Sequence, residues 1–151
     1  MGMNVIMVYR STIEQLTRLK EIEDHLLLEP IAPGKWSIRE IIGHLYYWDK
    51  FILEQHAPFM SQDTTLTAFP DHDLHNNEAI QYIDKFETIN SLIDEFVRTR
   101  LQLVEIINGI KSEAAFTIGS GKRQFTIERY ISIFAKHDQH HLKQIKDKLP
   151  K

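Results

Sequence analysis

The chain has 151 residues, a formal net charge of -3 at pH 7, six glycines, five prolines and no cysteine. This length and an apolar fraction of 42% suit one folded domain over residues 1–151 and exclude a disordered or repetitive segment. The weak acidic balance offers no field for nucleic acid or an anionic membrane. The lack of cysteine removes disulfides, thiolate ligands and a thiol nucleophile, so any metal site must use His, Asp or Glu.

Residues 1–10 lack the basic and apolar segments of a secretory signal, and nowhere do roughly 20 apolar residues run together. A cytoplasmic protein is expected. The first helix is predicted over 11–28, where Ile13, Leu16, Leu19, Ile22 and Leu26 recur at steps of three and four. Pro30, Pro33 and Gly34 interrupt the pattern, and Ser37 followed by Glu40 is a capping box that opens a second helix. Its apolar face, Ile41, Ile42, Leu45, Trp48, Phe51 and Ile52, runs to about residue 56. Residues 57–75 have no period and read as a long connection, of the kind that serves as a lid. A third helix, the longest, is predicted over 77–108 from Ile83, Phe86, Ile93, Phe96, Val97, Val104 and Ile107, with Gly109 as its stop. Gly119-Ser120-Gly121 marks a turn. Thr126 then caps a fourth helix whose inner face reads Ile127, Tyr130, Ile131, Phe134, His137, His141, Ile145 and Leu149. Four amphipathic helices and no convincing strand predict an all-α four-helix bundle.

His137 and His141 lie four residues apart, one helical turn, so two imidazoles on one face can converge on an ion. They interrupt an apolar stripe, where an unpartnered polar ring is costly. His44 lies between Ile41 and Trp48 on the apolar face of the second helix and also points inward. Three neutral histidines leave a coordination position for water or substrate, as in catalytic divalent sites. Zinc fits this donor set best, and imidazole also accepts nickel, iron or manganese. Asp138 and Gln144 are candidates for supporting roles around the ligands, Asp138 as acceptor of a ligand ring N–H. His140 is placed about 100° round the helix, at the surface. His72 and His75 fall in the unpatterned connection and read as solvated loop residues, while an accessory metal site there is the sharper alternative. His25 and His56 show no inward pairing. Trp36, Tyr46, Tyr47 and Trp48 read as packing residues. Gly119-Ser120-Gly121-Lys122 fails as a phosphate loop, because Phe116 stands where the first Gly belongs and Arg123 follows the Lys. No Gly-x-Ser-x-Gly elbow is present. No catalytic residue is assigned.

The segment Pro33-Gly34-Lys35-Trp36-Ser37-Ile38-Arg39-Glu40-Ile41-Ile42-Gly43-His44-Leu45 and the terminal His137-Asp138-Gln139-His140-His141-Leu142-Lys143-Gln144-Ile145 resemble the DinB-like superfamily. Within it, the chain looks like the branch that includes the bacillithiol transferases and YfiT-like metal-dependent hydrolases. The resemblance implies an up-down-down-up four-helix bundle with a long connection from the second helix to the third. Its three-histidine metal site falls on His44, His137 and His141. It also implies a homodimer and a small-molecule substrate, with a low-molecular-weight thiol as cosubstrate in the transferases. The expected function is a divalent-metal-dependent thiol S-transferase or hydrolase. The alternatives are a noncatalytic metal-binding stress-response protein, whose ion would staple two helices, and an interaction module whose histidines are core residues.

Overall fold

A computed structural model describes residues 4–150. Among them, six helices follow one another: α1 (Val5–Thr17), α2 (Asp24–Leu28), α3 (Ile38–Phe51), α4 (His72–Tyr82), α5 (Ile89–Asn108) and α6 (Ile127–Lys148). Helices α1, α3, α5 and α6 form the bundle. Their local signals are side-chain caps: Asn4 accepts from the Ile6 amide, Thr126 from Arg129, and Ser37 and Glu40 close a reciprocal capping box.

The core falls into two apolar clusters, and they fix the direction of each helix. One contains Ile13 and Leu16 of α1, Ile38 to Leu45 of α3, Leu92 and Phe96 of α5, and Leu142 and Ile145 of α6. The other contains Tyr9 of α1, Ile52 just past α3, Leu103 and Ile107 of α5, and Tyr130 and Ile131 of α6. Helices α1 and α6 therefore run from the second cluster to the first, and α3 and α5 run the other way. This is the up-down-down-up order. Because α3 and α5 are parallel neighbours, the chain must cross the length of the bundle between them. α1 packs on α5 and α6, and α3 on α5, whereas α3 and α6 meet over a short stretch only. A cleft opens there.

Several predicted boundaries are corrected. The first helix starts at Val5 and changes at Arg18 to a 3-10 turn, with α2 separate, although neither Gly nor Pro marks the break. The predicted helix over 77–108 is two helices, and α6, with 22 residues, is longer than α5, with 20. The split comes at Thr88, whose hydroxyl caps the Ser91 amide. The unpatterned stretch 57–75 is a structured crossover rather than a free lid. A wide π turn at Ile52–His56 ends α3, a two-residue strand β1 (Thr65–Leu66) follows, and Asp71 caps α4. β1 pairs in parallel with β2 (Thr117–Ile118), next to the predicted turn, where Gly119 adopts φ +59 with Ala68 packed against it. The all-α bundle thus carries one small parallel pair that pins the crossover to the α5–α6 loop. At the other end of the crossover Ile83 lies so close to α3 that a Cβ on Gly43 would sit 2.6 Å from its Cδ1. Gly43, adjacent to His44, is what permits that approach.

A polar network crosses the middle of the bundle. Arg100 of α5 donates to Asp49 of α3 (Nε to Oδ2, 2.6 Å) and to Asp138 of α6 (Nη1 to Oδ2, 2.7 Å), and Nη1 also reaches the Tyr9 carbonyl of α1 at 2.7 Å. Thr12 donates to Asp138 and Tyr9 to Asp49. All five residues are buried. Four helices therefore share one guanidinium, whose fixed fork suits two carboxylates at once.

Candidate metal centre

His44, His137 and His141 meet where α3 faces α6. His44 Nε2 lies 3.0 Å from His137 Nε2, which lies 3.2 Å from His141 Nε2. Each residue presents one ligand atom, and the three lie within 4.8 Å of one another. Nitrogens bound to one tetrahedral ion at about 2.0–2.1 Å stand about 3.3–3.4 Å apart, so the two separations from His137 are close to those of a coordination sphere.

The hydrogen bonds behind the rings set which nitrogen is free. Trp48 Nε1, which can only donate, gives its hydrogen to Asn76 Oδ1 at 3.1 Å, and that oxygen therefore accepts from His44 Nδ1 at 2.9 Å. His141 Nδ1 likewise donates to Gln144 Oε1 at 2.8 Å. Both rings, when neutral, aim their Nε2 lone pairs at His137 Nε2; a hydrogen carried there serves one of them, and the other is left over for a cation. An additional proton is disfavoured. Burial, then the neighbouring imidazoles, pushes His44 down to about 3, and burial followed by His141 pushes His137 down to about 4. His141 is lowered as well, by burial first. Neutral, preoriented imidazoles fit a divalent ion, and they are the form a metal requires.

His44 and His137 also line a cleft of about 350 Å³, together with Trp48, Phe69, His72, Asn76, Ile133 and Phe134. The ion position therefore borders space large enough for a small molecule.

Gln144 stands beside the triad, its Oε1 against His141 Nδ1. Asp138 does not serve a ligand ring: one position on from His137 it is turned about 100° into the core, where Arg100 and Thr12 take its oxygens. Asn76 holds His44 instead, and it was missed because the crossover shows no apolar period; the readable signal was the capping Asp71 that starts its helix. His72 and His75 stand on α4 and not in a solvated loop. His72 lines the cleft, while His75 is buried with its ring 4.1 Å from that of Trp48, and its Nε2 has no partner. His56 does point inward. Its Nε2 donates to the Thr67 carbonyl at 2.7 Å, and Nδ1 accepts from the Tyr130 hydroxyl at 2.7 Å. The π turn that ends α3 carries it there. His140 and His25 are exposed, as expected. Trp36 packs on His44 with rings 4.9 Å apart, and Tyr47 donates to Glu78, away from the ligand nitrogens.

Among the described residues no helix is long and apolar enough to cross a membrane. Comparison with curated protein sequences gives no match. Among solved structures the chain is similar to YfiT from Bacillus subtilis, reported as a probable metal-dependent hydrolase with an unusual four-helix bundle topology. The two share 15% identity with a TM-score of 0.66, covering 95% of this chain and 83% of that one, which establishes a common fold. The sequence model of the DinB superfamily matches residues 9–145, from α1 through the triad to the last turns of α6, and the chain belongs to that superfamily.

Proposed function

We propose that the protein is a divalent-metal-dependent enzyme that hydrolyses a small molecule or transfers a low-molecular-weight thiol to it, with His44, His137 and His141 as the metal ligands. The observation that carries this reading is the convergence of three Nε2 atoms, at 3.0 and 3.2 Å, at the wall of a cleft of small-molecule size. The description of YfiT as a probable metal-dependent hydrolase supports it.

An ion bound there supplies Lewis acidity that lowers the pKa of water or a thiol. The chain supplies the rest. Asn76 and Gln144 lock the tautomers of His44 and His141. Trp48, Phe69 and Phe134 keep water from one side of the cleft. His72 is the one titratable side chain lining the cleft that is outside the ligand set, and it is placed to take or give a proton as substrate reacts. Zinc fits the donor set best, with nickel, iron and manganese as the competitors. The adjoining cleft speaks against the noncatalytic reading, in which the ion would be closed off by protein atoms.

The test is metal content by mass spectrometry on untagged protein, for the wild type and for His44→Ala, His137→Ala and His141→Ala. About one ion per chain, lost in each variant, is expected from a three-ligand site. A wild type that holds no ion after incubation with zinc or nickel would overturn the reading. Turnover that requires added thiol would select transfer over hydrolysis.

A further inference from the structure

The walls of the cleft carry information about its occupant. The rings of Trp48, Phe69 and Phe134 form a triangle with centroids 6.1 to 6.2 Å apart. Ile133 lines the same cleft and is 48% exposed, so an apolar side chain stands on its solvent side. No Asp, Glu, Lys or Arg lines it. Away from the triad, a carboxylate, phosphate or ammonium would lose water with no fixed charge to replace it, whereas an apolar surface would gain. Flat rings also match aromatic walls by offset or edge contact.

Resting on the metal-site reading above, we propose that the substrate is a small molecule with an uncharged aromatic or similarly flat apolar body, bearing at one end the donor atom that reaches the histidine triad. Trp48, Phe69, Phe134 and Ile133 set this specificity, and the triad sets which end enters first.

Two hydroxamates with the same chelating group, benzohydroxamate and acetohydroxamate, separate the body of the ligand from its donor. On protein loaded with Co²⁺, with metal content measured on the same sample, benzohydroxamate is expected to bind about tenfold tighter or more, from burial of the ring. The 4-carboxylate derivative of benzohydroxamate is expected to lose that advantage. Phe134→Ala should weaken benzohydroxamate far more than acetohydroxamate and so remove most of the preference. Ile133→Asp, at an exposed position where folding is not at stake, should do the same. Equal affinity for the two hydroxamates, or tighter binding of the carboxylate, would overturn the proposal. Toluene, which has no donor atom, supplies an arm that needs no metal: saturable shifts of the Ile133 methyl signals in NMR are expected on metal-free protein. Toluene binding by a chain that takes up no Co²⁺ or zinc when the ion is added would sink the metal reading and leave the apolar specificity standing. Metal held without a preference for the ring would do the reverse.

Discussion

Two polar clusters cross this bundle, and they are finished in opposite ways. Around Arg100 each carboxylate meets guanidinium hydrogens, Thr12 and Tyr9 supply further donors, and the whole is sealed in the core. Around His44, His137 and His141 the outer nitrogens of two rings are satisfied while the inner ones face one another beside a cleft. A closed network fixes helices; one that leaves a lone pair over is free to accept a cation. The two are adjacent in sequence at His137 and Asp138, so one turn of α6 serves both.

The largest effect should come from the closed cluster. Arg100→Met leaves Asp49 and Asp138 buried without their cation and should cost about 3–5 kcal/mol in urea unfolding, with or without metal present. If the loss is below 1 kcal/mol, the network is not what joins the helices. The triad should behave differently. His44→Ala, His137→Ala and His141→Ala should leave metal-free stability near that of the wild type but abolish the gain from added zinc, which for the wild type is about 4 kcal/mol at a thousandfold excess over Kd. A smaller change is expected one step further out. Asn76→Ala should weaken metal binding about 10–100-fold by freeing the His44 ring, and a chelator competition assay would show no change if Asn76 were only a cleft wall.

Acid separates the clusters by sign. His44 and His137, held near 3 and 4 against an ordinary 6.5, stay neutral in the folded chain while the unfolded chain takes up protons. Their contribution is fully present above pH 6.5 and is lost progressively as the pH falls toward those values. Asp49, pushed up to about 6 chiefly by burial against an ordinary 3.8, acts in reverse: the folded chain binds its proton first, so stability from that group rises as pH falls from 6 toward 4. Replacing His44 and His137 by Gln together should therefore flatten the acid limb of stability measured by urea unfolding between pH 6.5 and 4. An acid limb as steep as that of the wild type would show that other groups drive it. The smallest effect is reserved for His140→Ala, which should leave metal content unchanged; a lost ion would mean that the ligand set has been misassigned on α6.

The ligand elements were legible because their signals are local. The Ser37–Glu40 box and the Thr126 cap mark where α3 and α6 begin, and periodic apolar stripes show which way His44, His137 and His141 face. The other half of the site was not legible, for a physical reason. Helix α4 buries only His75 and Ala79, so its inward face has no apolar stripe, and its place is set by contacts with Trp48 and by Ile83 against Gly43. Thr88 capping Ser91, without the Glu or Gln that usually completes such a box, likewise hid the break before α5. For Asp138, adjacency to His137 in sequence is not adjacency to the ligand rings in space. A helix turns neighbours about 100° apart, and that rotation decides the partner.

The parallel run of α3 and α5 has a consequence for how such a protein can diversify. The chain must return along the bundle between them, and the return segment supplies Phe69, His72 and Asn76 to the cleft. The ligand histidines sit on the two helices that the return segment joins or faces, outside it. Exchange of residues 60–82 between relatives would therefore recut the cleft while the three ligands stay where they are. The cleft can thus be recut through the crossover alone, so long as the β1–β2 pair still anchors it and an acceptor remains behind the His44 ring.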